Sequence, residues 1–115
     1  MAQLLVTTPN GKTATVAVVA PATTIGRATD NHVVLGSPLA SRRHAVLLTE
    51  GPFVTLRDTG SRNGTYVNGS RVFTQVLAHG DTIGIGDCRL RFLATEQEVV
   101  SPEAMKLITE RGMLR

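Results

Sequence analysis

Three short polar stretches hold the side chains that could do chemistry. They are Gly26-Arg27, Ser41-Arg42-Arg43-His44, and Ser61-Arg62-Asn63-Gly64-Thr65 running on to Asn68-Gly69. Together they offer fork-shaped guanidinium donors, a small hydroxyl and a Gly-flanked amide. That mixture suits holding a phosphate ester better than breaking a bond. A phosphorylated side chain asks for permanent positive charge, donors aimed at three oxygens, and some grip on the peptide around it. An amide such as that of Asn63 both donates and accepts, so it can pair with a peptide main chain. Arg42 and Arg43 are neighbours and point apart in extended chain, so one of them reaches a shared target and Arg43 is read as solvated. Arg62 divides between peptide contact and plain loop charge.

Each stretch is flanked by apolar alternation, which puts it in a loop at a strand end, where a rigid sheet can position side chains. Strands are expected at Leu4–Val6, Thr13–Val19, Thr23–Ile25, Val33–Leu35, His44–Thr49, Phe53–Asp58, Thr65–Val67, Arg71–Phe73, Thr82–Ile85 and Cys88–Leu93. Asn10-Gly11 and Asn68-Gly69 between such runs are hairpin signals, because Asn and Gly tolerate positive φ. Glu50-Gly51-Pro52, Gly80-Asp81 and Gly86-Asp87 are further turns. About ten short strands at close, regular spacing are the pattern of an all-β sandwich. Residues 97–115 differ. Ser101-Pro102-Glu103 reads as a capped helix start, with Met105 and Ile108 as a small apolar stripe. A short C-terminal helix or the start of a linker is expected there, after one domain at 1–96.

The chain has 115 residues, of which 42% are hydrophobic and 18% charged, so it is long and apolar enough to bury a core. Aromatics make up only 3%, so that core must come from Val, Leu, Ile and Ala, which favours sheets. The net charge is +3, and ten of the twelve basic residues are Arg, the residue that matches phosphate bidentately. Cys88 is the single cysteine and falls on the inward side of an alternating run, so a buried thiol is expected. Nothing in the sequence resembles a signal peptide, and no apolar run approaches membrane-spanning length. A cytoplasmic location is the expectation from this.

The ordered set Gly26-Arg27, Ser41-x-x-His44, Asp58-x-x-Ser61-x-Asn63-Gly64-Thr65-x-Val67-Asn68-Gly69 resembles the forkhead-associated (FHA) domain. Gly80-Asp81-x-Ile83-x-Ile85-Gly86 is similar to that family's closing strands. The likeness covers roughly residues 3–95. Each piece is short, but the set in this order is specific. The resemblance implies a sandwich of about eleven strands that binds phosphothreonine peptides. It implies that Arg27 and Ser41 contact the phosphate, with Arg42 as a second basic contact. Asn63 would bond the peptide backbone, with Arg62 beside it. His44 would tie the Ser41 loop to its neighbours, and Gly26, Gly64, Asn68 and Gly69 would shape the loops. No catalytic residue and no cofactor follows from it. The implied partner is a phosphothreonine-containing protein, met by a monomeric module of a larger signalling chain.

Other functions fit these residues less well. A hydrolase built on Ser41, His44 and Asp58 lacks the Gly pattern of a nucleophile elbow. Nucleic-acid binding lacks stacking platforms, since Tyr66 is the sole Tyr and Trp is absent. His32, His44 and His79 do not share a metal-ligand spacing, so no metal is expected. A phospho-independent scaffold of a larger assembly is the alternative reading. Neither a nucleic acid nor a membrane is an expected partner.

Overall fold

The computed structural model describes residues 2–94. This stretch forms eleven strands, and apolar alternation marks those that build the core. In chain order they are β1 (Ala2–Thr7), β2 (Thr13–Ala17), β3 (Ala22–Gly26), β4 (Val33–Val34), β5 (Ala45–Glu50) and β6 (Phe53–Asp58). Then come β7 (Thr65–Val67), β8 (Ser70–Val72), β9 (Thr74–Val76), β10 (Thr82–Ile85) and β11 (Cys88–Ala94). They form two sheets, one of six strands in the order β2-β1-β11-β10-β7-β8, the other of five in the order β4-β3-β5-β6-β9. All pairings are antiparallel except β3 with β4. No helix occurs among the described residues, so no helix there is long and apolar enough to cross a membrane. The expected C-terminal helix lies outside the described residues.

The two-residue period of a strand decides what is buried. Leu4 and Val6 of β1, Ile83 and Ile85 of β10, and Cys88, Leu90 and Phe92 of β11 turn inward from the six-stranded sheet. Ile25, Ala45, Leu47, Val54 and Leu56 meet them from the five-stranded sheet. A fully buried Leu, Ile or Phe contributes roughly 1.5–3 kcal/mol, so these aliphatic layers hold the sandwich without help from Trp. Cys88 is buried, as its place in the alternation requires, and burial followed by the Asp87 carboxylate pushes its thiol pKa up.

The hairpins follow from their turn residues. β7 and β8 are joined by Asn68 and Gly69, with Val67 opposite Ser70 and φ values of 51° and 88°. Both residues at positive φ make a turn whose twist matches the strands. One strand, β9, was not expected. All three of its residues are exposed, so it carries no alternation to read. Between β8 and β9 the chain crosses from one sheet to the other at Phe73, whose side chain is 70% exposed.

Candidate functional site

The loops after β3, β4 and β6 meet at one end of the sandwich, and main-chain atoms stitch them together. Arg27 N–H donates to the Ser41 carbonyl at 2.9 Å, and Ala28 N–H to the Arg42 carbonyl at 3.2 Å. The third loop joins through Arg62 N–H, which donates to Ser41 Oγ at 3.1 Å. Asn63 Nδ2 donates to the Leu39 carbonyl at 2.8 Å. The structure thus brings Arg27, Ser41, Arg42, Arg62 and Asn63 onto a common rim, although they span 37 positions of sequence.

Gly26 explains how β3 and the Ser41 loop come so close. A Cβ built there would stand 2.1 Å from the Arg42 carbonyl oxygen and 2.9 Å from Asn31 Nδ2. Backbone cannot yield that much, so the position admits only glycine. Asn31, buried in the loop after β3, fastens the same junction. Its Nδ2 donates to the carbonyls of Ala28 at 2.8 Å and Arg42 at 2.9 Å. Arg43, expected to be solvated, is more than half exposed yet engaged. It pairs with Asp30 and donates to Asn31 Oδ1 at 3.1 Å. Arg42, its neighbour, is exposed and holds no such partner among the described residues.

His44 is fully buried between the second and third loops. Its Nε2 lies 2.8 Å from the Gly64 carbonyl, which can only accept, so the ring hydrogen sits on Nε2. Nδ1 is then free to accept from Ser41 N–H at 3.0 Å. Both ring nitrogens are engaged by backbone, and neither is left to activate the Ser41 hydroxyl. Asp58 is likewise committed to the third loop. Its carboxylate accepts from the N–H groups of Gly60 at 2.7 Å and Ser61 at 2.8 Å, from Ser61 Oγ, and from Thr65 Oγ1 at 2.7 Å. Burial pushes its pKa up, but the Ser61 hydroxyl and N–H, the Thr65 hydroxyl and the Gly60 N–H outweigh this and hold it at about 2. A Ser41–His44–Asp58 relay is therefore not what these residues build.

The donors left over face outward. Arg27 spends Nε on the Ala40 carbonyl at 3.1 Å, which keeps its terminal nitrogens available. Ser41 Oγ accepts one bond from Arg62, and its own hydrogen has no acceptor among the described residues. Asn63 retains a carbonyl oxygen and one N–H. Such a cluster can meet a tetrahedral dianion with a guanidinium fork and a hydroxyl, and a neighbouring peptide group with an amide.

Gly64 closes the third loop at φ +89°. Asn68 stands apart from this rim, at the other end of β7. Its Nδ2 donates to Asp81 Oδ1 at 3.1 Å, and its Oδ1 accepts from Thr82 N–H at 3.0 Å. It braces the β7–β8 hairpin onto β10, with no direct bond to a rim loop. Asn31 and the Ser37–Asp87 bond of 2.6 Å, which pins the second loop to the β10–β11 turn, belong to no motif of the sequence. Among the described residues no group of His, Cys, Asp and Glu is placed to hold a metal ion.

Comparison with known proteins agrees with this geometry. The FHA domain model matches residues 23–86. The glycogen accumulation regulator GarA of Mycolicibacterium smegmatis is 47% identical over 73 residues, 64% of this chain and 46% of GarA. This chain spans about half the length, or less, of the curated relatives it matches. The FhaA FHA domain, solved in complex with the intracellular domain of Rv3910, superposes with a TM-score of 0.72 at 30% identity, covering 80% of this chain and 99% of that one. Mycobacterium tuberculosis EmbR, solved with a low-affinity phosphopeptide, gives a TM-score of 0.69 at 34% identity over 81% of this chain and 24% of EmbR. With two sheets of this topology, three stitched loops and a family match across more than half its length, the chain belongs to the FHA domain family.

Proposed function

We propose that this chain is a phosphothreonine-dependent binding module that joins partner proteins after Ser/Thr kinases have marked them, and that it does no chemistry on them. Arg27 and Ser41 hold the phosphate, Arg42 adds charge, and Asn63 and Arg62 hold the peptide around it. Gly26, His44 and Gly64 keep the loops in place. The module is residues 1–96, acts as a monomer within a larger signalling chain, and works in the cytoplasm.

One observation carries this reading. The loop ends are fixed to one another by backbone bonds, while the terminal nitrogens of Arg27 and the hydroxyl hydrogen of Ser41 stay unspent beside them. Complexes of structural relatives support this reading: the EmbR structure holds a phosphopeptide and the FhaA FHA domain structure a partner's intracellular domain. A charge-assisted hydrogen bond contributes about 1.5–3 kcal/mol. Two or three of them, less the ordering of a flexible peptide, give a Kd on the order of micromolar.

Calorimetric titration with a phosphothreonine peptide and its unphosphorylated twin tests this. Micromolar binding of the first and none of the second is expected. Arg27→Ala and Ser41→Ala should each weaken binding about tenfold to a hundredfold, as loss of one charged bond implies. Equal affinity for the two peptides would refute the reading and favour a phospho-independent scaffold.

A further inference from the structure

The six-stranded sheet carries a cationic row that runs directly off the third loop. Arg71 of β8 lies opposite Tyr66 of β7, Tyr66 opposite Gly84 of β10, and Gly84 opposite Arg89 of β11. Residues directly opposed across strands share a face. Their sequence neighbours Thr65, Val67, Ile83, Ile85, Cys88 and Leu90 are buried, so this row faces outward. Three strand spacings of roughly 4.8 Å separate Arg71 from Arg89, about 14 Å, which four residues of extended peptide span.

Two details make the row more than scattered surface charge. The Arg71 guanidinium folds against Gly64: a Cβ on that glycine would stand 2.7 Å from Arg71 Nε and 3.0 Å from Cζ. Arg71 is therefore continuous with the Arg62–Asn63 loop. Gly84 carries no side chain between Tyr66 and Arg89, and a Cβ there would lie 3.6 Å from Tyr66 Cβ. Nearby acids are already engaged. Asp87 accepts from Ser37 Oγ, and Asp81 accepts from Asn68 Nδ2 and Ala78 N–H. Among the described residues neither forms an ion pair with Arg71 or Arg89; the pair found is Arg43 with Asp30.

We propose that Arg71, Tyr66 and Arg89 form a subsite for Asp or Glu carboxylates that flank the phosphothreonine on one side in the same partner chain. The proposal rests on the phosphothreonine reading and extends it: the rim holds the phosphate, and the row selects acidic partners. An extended peptide leaving the third loop meets Arg71 first, passes Tyr66 and Gly84, and reaches Arg89 about four residues on.

Fluorescence anisotropy with three phosphothreonine peptides tests it. One has neutral flanks, one an acidic run before the phosphothreonine, and one an acidic run after it. One acidic peptide is expected to bind about fivefold tighter than the neutral one, with a steeper fall on added salt, as for an exposed ion pair or two. That ratio should collapse to about one in Arg71→Ala with Arg89→Ala, and persist in Arg57→Ala, whose side chain lies on the other sheet. Thermal melting verifies that each variant is folded. Equal binding of all three peptides, or a ratio that survives the double substitution, would overturn the subsite. So would a single-stranded oligonucleotide that binds the row more tightly than the acidic peptides and is lost in the same variant. Failure of the parent reading looks different: the neutral peptide would then bind equally with and without its phosphate, and the extension would fall with it.

Discussion

The carboxylate of Asp58 accepts four hydrogen bonds from the loop that follows it and the first residue of β7. They fold Gly60 to Thr65 into the shape that delivers Arg62 and Asn63. Its pKa falls from 3.8 to about 2. The group binds a proton more readily unfolded than folded, so it stabilises the protein above about pH 4, and that stability disappears as pH falls through about 2. The shift corresponds to about 2 kcal/mol. Urea titrations between pH 5 and 2 are expected to show that loss, and Asp58→Asn should abolish this part of the pH dependence while costing about 2–3 kcal/mol at neutral pH. An unchanged acid profile in the variant would contradict it. Asp58 was legible as a strand-end acid, since it ends an alternating run. Its four donors were not, because they are local backbone and hydroxyl groups that leave no spacing signal. Ser37 and Asp87 were hidden for the opposite reason: 50 positions separate them.

At the level of elements, the strands were legible wherever one face is buried. The Cys88, Leu90, Phe92 alternation of β11 and the Val54, Leu56 pair of β6 come out inward. Strand ends were less so. The run from Thr13 to Val19 pairs only as far as Ala17, and the strand expected at Val33 stops at Val34 although Leu35 is buried. The ladders end there with one last bond each, Val18 N–H to the Ala2 carbonyl at 3.0 Å and Leu35 N–H to the Gly26 carbonyl at 2.8 Å, and hydrophobicity does not mark where a ladder stops. The loop junction makes a sharper prediction. In Gly26→Ala the added methyl meets the Arg42 carbonyl at 2.1 Å, so β3 and the second loop must separate. The variant should lose about 1–3 kcal/mol of stability by melting and nearly all phosphopeptide binding, even where it is still folded. His44→Ala is expected to act alike from within, leaving Ser41 N–H and the Gly64 carbonyl unpaired.

Across the whole molecule, the recognition loops and the end of the described chain lie at different ends of one strand. β11 leaves the Gly86–Asp87 turn beside Leu39 and runs seven residues to Ala94, roughly 20 Å away, where it pairs with Ala2. A chain ended at residue 96 keeps every bond described for the rim. It should therefore match the full chain in melting temperature and in phosphopeptide Kd, and a loss of either would place residues 97–115 in the folded module. The sandwich as a class was legible from strand spacing and scarce aromatics. Which strands share a sheet was not: β9 departs from its neighbour β8 to join β6, a choice made by packing of distant segments.

Most atoms that lock the rim are carbonyl oxygens and amide nitrogens, common to nearly all amino acids. Architecture and recognition thus fall on different parts of several rim residues, whereas the Ser41 hydroxyl and the Asn63 amide serve both. Substitutions at Ala28, Leu39 or Arg42 can alter what the surface prefers while the cross-links persist, because those links use only main-chain N–H and C=O groups at these positions. Preference for new partners can drift by single exchanges in such a scaffold, without an intermediate that fails to fold.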